Sequence, residues 1–246
     1  MPGRKPGVAA TDGDALTAAA FLARLEALKS ETERAKYARY FPQGHEEFIG
    51  VRMGQVFALA KEFVAMPPAE IDRLMESEVH EARAGAMSTM AKQYALKTTT
   101  AERRQELYEL YLRRHDRINH WDLVDLAAYH VVGRHLVDGD RSVLDGLAAS
   151  ADRWERRTAI VATFAFIGRG QLDDTYRIAE GLIGDSDEFV QKAVGWALRT
   201  AGDRDPARLR AFLDRHAAAM ARPALRAAIE HFAADERATY LSRRRS

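Results

Sequence analysis

A chain of 246 residues that is 47% hydrophobic can bury a sizeable core, which excludes a wholly disordered protein. It has no cysteine, so disulfide frameworks and thiolate nucleophiles are excluded, and no apolar run approaches the roughly 18 residues of a membrane span. The formal charge of +1 neither demands nor forbids a nucleic-acid partner, because its 37 basic residues could be segregated to one face.

Residues 1–13, rich in Gly, Pro and small side chains and without an apolar signal core, read as a mobile N-terminal tail of a cytoplasmic protein. Residues 14–241 read as a single helical-repeat domain, and 242–246 as a frayed basic end. Within the domain, Pro67-Pro68-Ala69-Glu70 and Thr100-Ala101-Glu102-Arg103 place proline, caps and acids where a first helical turn uses them. Leu107, Leu110, Tyr111 and Arg114 then share one helical face. Further starts follow at Ser186-Asp187-Glu188 and Asp205-Pro206-Ala207, the last opening a helix whose Leu209, Phe212, Leu213 and His216 share a face. No sustained strand-type alternation occurs, so the expected class is all-α.

An internal repeat emerges when basic residues followed by small ones are aligned. Arg83, Arg157, Lys192 and Arg226 are separated by 74, 35 and 34 positions, and Trp121 to Asp125 falls in the unit the first gap skips. Helix pairs of this length match HEAT or armadillo arrays, whose period is about 40 residues. The expectation is a HEAT-like solenoid, an α-α superhelix with second helices lining a concave face.

Trp121 and Asp125 are four apart and therefore share a helix face, with Leu123, Val124, Ala127 and Ala128 on the packed side. Asp122, nearer the helix start, is better explained as a dipole-favoured or capping acid than as a catalyst. Taken singly, Asp125 reads as a surface acid or a structural partner for an arginine, and Trp121, Trp154 and Trp196 read as core residues. The basic residues taken singly read as solvated helix faces. His130 and His135 are five apart and do not share a face as a metal pair would, and no phosphate loop, dinucleotide fingerprint or nucleophile elbow is present. No metal and no cofactor is expected.

Three segments, Asn119-His120-Trp121-Asp122-Leu123-Val124-Asp125, Trp154-Glu155-Arg156-Arg157-Thr158-Ala159 and Gln191-Lys192-Ala193-Val194-Gly195-Trp196, together resemble the bacterial DNA alkylation-repair glycosylases of the AlkD type. The resemblance extends from about Ala38-Arg39-Tyr40 to about His231. It implies a monomer with a concave face for double-stranded DNA containing alkylated bases. It also implies a lesion site of Trp121, Asp125, Trp196 and Arg157, with Arg157, Lys192 and Tyr40 on the DNA. Trp154 and Arg156 are assigned to packing and surface respectively, and His120 receives no role.

The resemblance further implies hydrolysis of the N-glycosidic bond of N3-alkyladenine and N7-alkylguanine. These purines are cationic and depart neutral, so no general acid is needed. A carboxylate stabilises the oxocarbenium-like sugar and orients water, indole faces grip the deoxyribose, and an arginine holds a flanking phosphate. Where the family carries a threonine-proline pair, this chain has Met53-Gly54-Gln55-Val56-Phe57, a departure among the N-terminal DNA contacts. Two further readings stand beside this one: a DNA-structure-binding relative without chemistry, and a protein-interaction scaffold.

Overall fold

The computed structural model describes residues 16–40 and 47–243, the side chains of 38–40 excepted. The predicted tail at 1–13, the last three residues of the predicted basic end, and the side chain of Tyr40 therefore lie outside the described residues. Among the described residues every named element is helical, and the protein is an all-α helical-repeat fold. No helix among them is long and apolar enough to cross a membrane. The chain divides into two compact units, one ending at Lys97 and the other starting at Thr98.

In the first unit, α1 (Ala18–Glu26), α3 (Met53–Glu62) and α4 (Pro68–Met75) pack on α5 (His80–Ala95), with α2 (Glu31–Tyr40) between α1 and α3 in the sequence. Thr17 caps α1 by accepting from the Ala20 N–H at 3.1 Å. Helix α5 is buried nearly all round, which explains why its sequence carries no amphipathic signature and why small residues dominate its first half.

The second unit stacks helix pairs. Its first helices are α6 (Ala101–Arg113), α9 (Val143–Ala148), α12 (Asp173–Gly181) and α14 (Pro206–His216). Its second helices are α7 (Trp121–Ala127), α10 (Arg153–Ala162), α13 (Glu188–Gly202) and α15 (Arg222–Ala228), and each packs on the next in that order. A 3-10 turn (His115–Arg117) leads into α7, and a π-helical stretch (Ala128–Gly133) continues it into α8 (Arg134–Leu136). The short α11 (Phe164–Ile167) follows α10, and α16 (Ala234–Ser242) closes the unit. Asp152 caps α10 through the Trp154 N–H at 2.7 Å, and Asp187 caps α13 through Phe189 N–H at 2.9 Å and Val190 N–H at 3.2 Å.

Close approach between second helices explains one of the small residues. A Cβ on Gly195 would lie 2.6 Å from the Ala227 methyl and would collide with the Ala224 carbonyl, so glycine at 195 lets α13 and α15 approach this closely. At Gly133 the same reasoning applies against Ala162 and Ala165.

The structure corrects the phase of the repeat. Arg83 is the fourth residue of α5, whereas Arg157, Lys192 and Arg226 are each fifth in their helices, and so is Asp125 in α7. Bonding confirms the shift. Arg83 donates to the carbonyls of Ser77 and Glu78 at 2.8 and 3.1 Å, and Arg156 donates to those of Ser150 and Ala151, both at 2.9 Å. Gln191 donates to the Asp185 carbonyl at 2.7 Å. All three side chains reach back to the loop before their own helix, so Arg83 corresponds to Arg156 and Gln191, not to Arg157. Arg156 is accordingly more than surface, for it also grips Asp185 with two hydrogen bonds of 2.6 and 3.2 Å.

Candidate functional site

Asp125 and Arg157, fifth residues of adjacent second helices, meet side by side. Arg157 Nε donates to Asp125 Oδ1 at 3.1 Å and Nη2 donates to Oδ2 at 2.8 Å, a bidentate pair. The remaining Arg157 nitrogen, Nη1, donates to the main-chain carbonyl of Phe189 in the first turn of α13. The guanidinium thus ties α7 and α13 to α10 with all three nitrogens engaged.

The two partners differ in access to water. The Arg157 side chain is 7% exposed and the Asp125 side chain 22%, so the carboxylate reaches the surface while the group holding it does not. Burial pushes the Asp125 carboxyl above the usual carboxylate range, against the hydrogen bonds and charge of Arg157, which hold it down; Asp122 adds to the rise and His120 opposes it.

The tryptophans separate by environment. Trp121 and Trp196 are 40% and 38% exposed, whereas Trp154 is 7% exposed and belongs to the core. Exposing an indole leaves a large apolar surface in water, and among the described residues these two and Leu96 are the large hydrophobic side chains so placed. Trp121 lies one turn before Asp125 on α7. Trp196 lies one turn after Lys192 on α13, and its ring packs against Phe164 with centroids 4.3 Å apart. The three tryptophans occupy the first, second and ninth places of their helices and so do not recur at equivalent points of the repeat.

Around Trp121 the ring of His120 lies 5.5 Å away and also contacts Trp154 and Phe189, at 6.0 and 6.2 Å. Its Nδ1 is 2.7 Å from Asp122 Oδ1, so Asp122 holds the imidazole while it occupies the first turn of α7. His120, without a role in the sequence reading, is therefore part of the aromatic floor beside Trp121. Its signal in the sequence was only adjacency to Trp121. Lys192 is exposed and pairs with Glu188 at 2.7 Å across one turn of α13.

Beneath the ion pair lies a buried polar trio that the sequence did not single out as functional. Thr158 Oγ1 is 2.9 Å from the Tyr111 hydroxyl and 3.0 Å from His115 Nε2, and all three side chains are buried. Desolvation lowers the His115 pKa, so burial favours the neutral imidazole. Burial also pushes the Tyr111 hydroxyl far above its ordinary value.

Residues 21–232 match a family described as DNA alkylation repair enzyme. The chain belongs to that family. Membership gives it a role in DNA repair with DNA as its partner. Among solved structures the chain is similar to a predicted DNA alkylation repair enzyme from Enterococcus faecalis, with 17% identity and a TM-score of 0.65 over 84% of this chain and 97% of that one. At that identity the likeness establishes the helical-repeat fold. No curated protein matches the chain. In the family's terms, the segments carrying Trp121, Asp125, Arg157 and Trp196 all fall within the matched span.

Proposed function

We propose that this DNA alkylation repair family member is a DNA glycosylase that hydrolyses the N-glycosidic bond of cationic alkylated purines in double-stranded DNA. The observation that carries the reading is a carboxylate, Asp125, held along one edge by a buried arginine and open to solvent one turn from an exposed indole. In the proposed reaction the C1′–N bond breaks, and its electron pair passes to the purine, which departs neutral. Positive charge develops on the sugar. Asp125, in its ionised form and already oriented by Arg157, stabilises that charge without reorganising, then directs water to C1′ and takes up its proton.

Trp121 and Trp196 offer faces for the deoxyribose and for the developing cation. Lys192 and Tyr40 are the proposed backbone contacts. Arg157 receives a different role from the phosphate clamp that the resemblance implied. With all three nitrogens engaged and the side chain almost wholly buried, it orients Asp125 and keeps it charged. Phe164, packed on Trp196, fixes the plane of that indole.

The test is base release from duplex DNA containing N7-methylguanine, with Asp125→Asn as the control. Release by the native protein that the variant largely loses, at similar DNA affinity, supports the reading. DNA binding with no release by either protein would overturn it in favour of a non-catalytic DNA-structure-binding role. Uracil and hypoxanthine in the same duplex should remain in place, because neutral bases need a leaving-group acid; their efficient removal would also overturn the mechanism.

A further inference from the structure

Thr158 immediately follows Arg157 in α10, so the two side chains point about 100° apart around the helix, one to the Asp125 pair and one into the core. In the core Thr158 meets a hydroxyl from α6 and an imidazole from the following 3-10 turn, both at hydrogen-bond distance. We propose that Thr158, Tyr111 and His115 form a positioning device that fixes the rotation of α10 and so keeps Arg157 in register with Asp125. The inference rests on the glycosylase reading for its consequence, though not for its geometry.

The argument is one of lever arms. Apolar contacts between helices tolerate small rotations, whereas two directional hydrogen bonds on one oxygen do not. A guanidinium roughly 6 Å from the helix axis moves about 2 Å when the helix turns by about 20°, which is enough to break a bidentate pair. The contacts of Arg157 to Asp125 and Phe189 lie on two different helices, α7 and α13, that it must reach simultaneously. A lock on a second face of α10, about 100° round from Arg157, is what holds that double contact. The Tyr111 hydroxyl is close enough to the pair to feel both charges, Asp125 raising its pKa and Arg157 lowering it.

The groups that face Asp125 are Arg157 from α10, Tyr111 from α6, and His120 and Asp122 from the N-terminal side of its own helix. Of these Arg157 is the cation in direct contact. Loosening it withdraws positive charge, so the Asp125 carboxyl must titrate at higher pH.

The experiment compares Thr158→Val, close in shape but without the hydroxyl, with Thr158→Ser, which restores it. Tyr111→Phe serves as a second lesion in the same network. Two quantities are read: the pH profile of single-turnover release of N7-methylguanine, and the titration of the Asp125 side-chain carboxyl by carbon NMR in the free protein. Thr158→Val and Tyr111→Phe should slow release by about tenfold to a hundredfold, the scale of an ångström-sized misplacement, with duplex affinity unchanged. The acid limb and the Asp125 midpoint should both move upward, and Thr158→Ser should return them. An unmoved midpoint in both lesions, accompanied only by a lower melting temperature, would show that the trio merely packs the core and would overturn the inference. If the native protein releases no base, the glycosylase reading fails while the NMR titration still decides this one. If Thr158→Val does not fold, Tyr111→Phe decides it.

Discussion

Glu81 in α5 and Asp125 in α7 are both carboxylates drawn out of water near the start of a helix, yet their surroundings give them different capacities. Glu81 is fully buried and accepts from three consecutive main-chain N–H groups, those of Ile49, Gly50 and Val51, at 3.3, 2.8 and 3.1 Å. The loop can wrap it because Gly50 adopts φ 83°, where a side chain would be strained and would strike the Ser30 carbonyl. That carboxylate is out of contact with solvent, with main-chain donors on both of its oxygens. Asp125 is held along one edge by a single side chain and keeps part of its surface in solvent. A buried carboxylate satisfied by main chain braces a loop; one satisfied by a buried guanidinium on one side retains an open side on which charge can act.

The largest effect expected from breaking this contrast is at Arg157. Replacing it with alanine leaves Asp125 largely desolvated and without its cation, and should cost about 3–5 kcal/mol of stability, read from urea unfolding. Next comes the carboxylate itself. Asp125→Asn should slow base release by roughly 10²–10³-fold, the scale of one lost electrostatic contact to a transition state, with a smaller loss of stability because one oxygen can still accept from Arg157. Glu81→Gln should do the reverse, lowering the unfolding midpoint while leaving release per folded molecule unchanged. If Glu81→Gln slowed release of the folded protein as much as Asp125→Asn, the contrast would fail.

The pH dependence sharpens the same comparison. Release requires the ionised Asp125, whose folded pKa lies above the ordinary carboxylate value, so the rate should fall with decreasing pH at a midpoint above that range. Stability moves the other way for this group. The folded state binds the proton more tightly than the unfolded state, so the contribution of Asp125 to stability falls as pH rises from the unfolded pKa through the raised folded one. Measuring rate and unfolding midpoint across that window checks both signs at once. The smallest effect is expected at Lys192, exposed and paired with Glu188 across one turn of its own helix. Lys192→Ala should weaken DNA binding modestly and reduce the salt dependence by about one phosphate contact, seen in binding isotherms at several salt concentrations.

Much of the fold was legible because helices announce themselves locally. The caps at Thr100, Asp187 and Asp205 all function as caps, and Leu107, Leu110 and Tyr111 are buried as their shared face required. The i, i+4 placement of Trp121 and Asp125 on one helix was equally local. The phase of the repeat was not, because spacing between similar residues does not reveal where each helix begins, and one residue of slip separates Arg83 from Arg157 in their helices. Nor could composition separate three tryptophans of identical chemistry, of which packing buries Trp154 and leaves Trp121 and Trp196 in water.

The sequence by itself determined an all-helical class, several helix starts, and a carboxylate and an indole on one helix face, since each follows from periodicity and capping within a few residues. Tertiary structure alone decided that Arg157 is buried and shared between Asp125 and Phe189, and that Thr158 joins Tyr111 and His115. Those contacts bridge 32 to 47 positions of chain and depend on the angle at which one helix meets the next, a quantity set by the packing of all their side chains together.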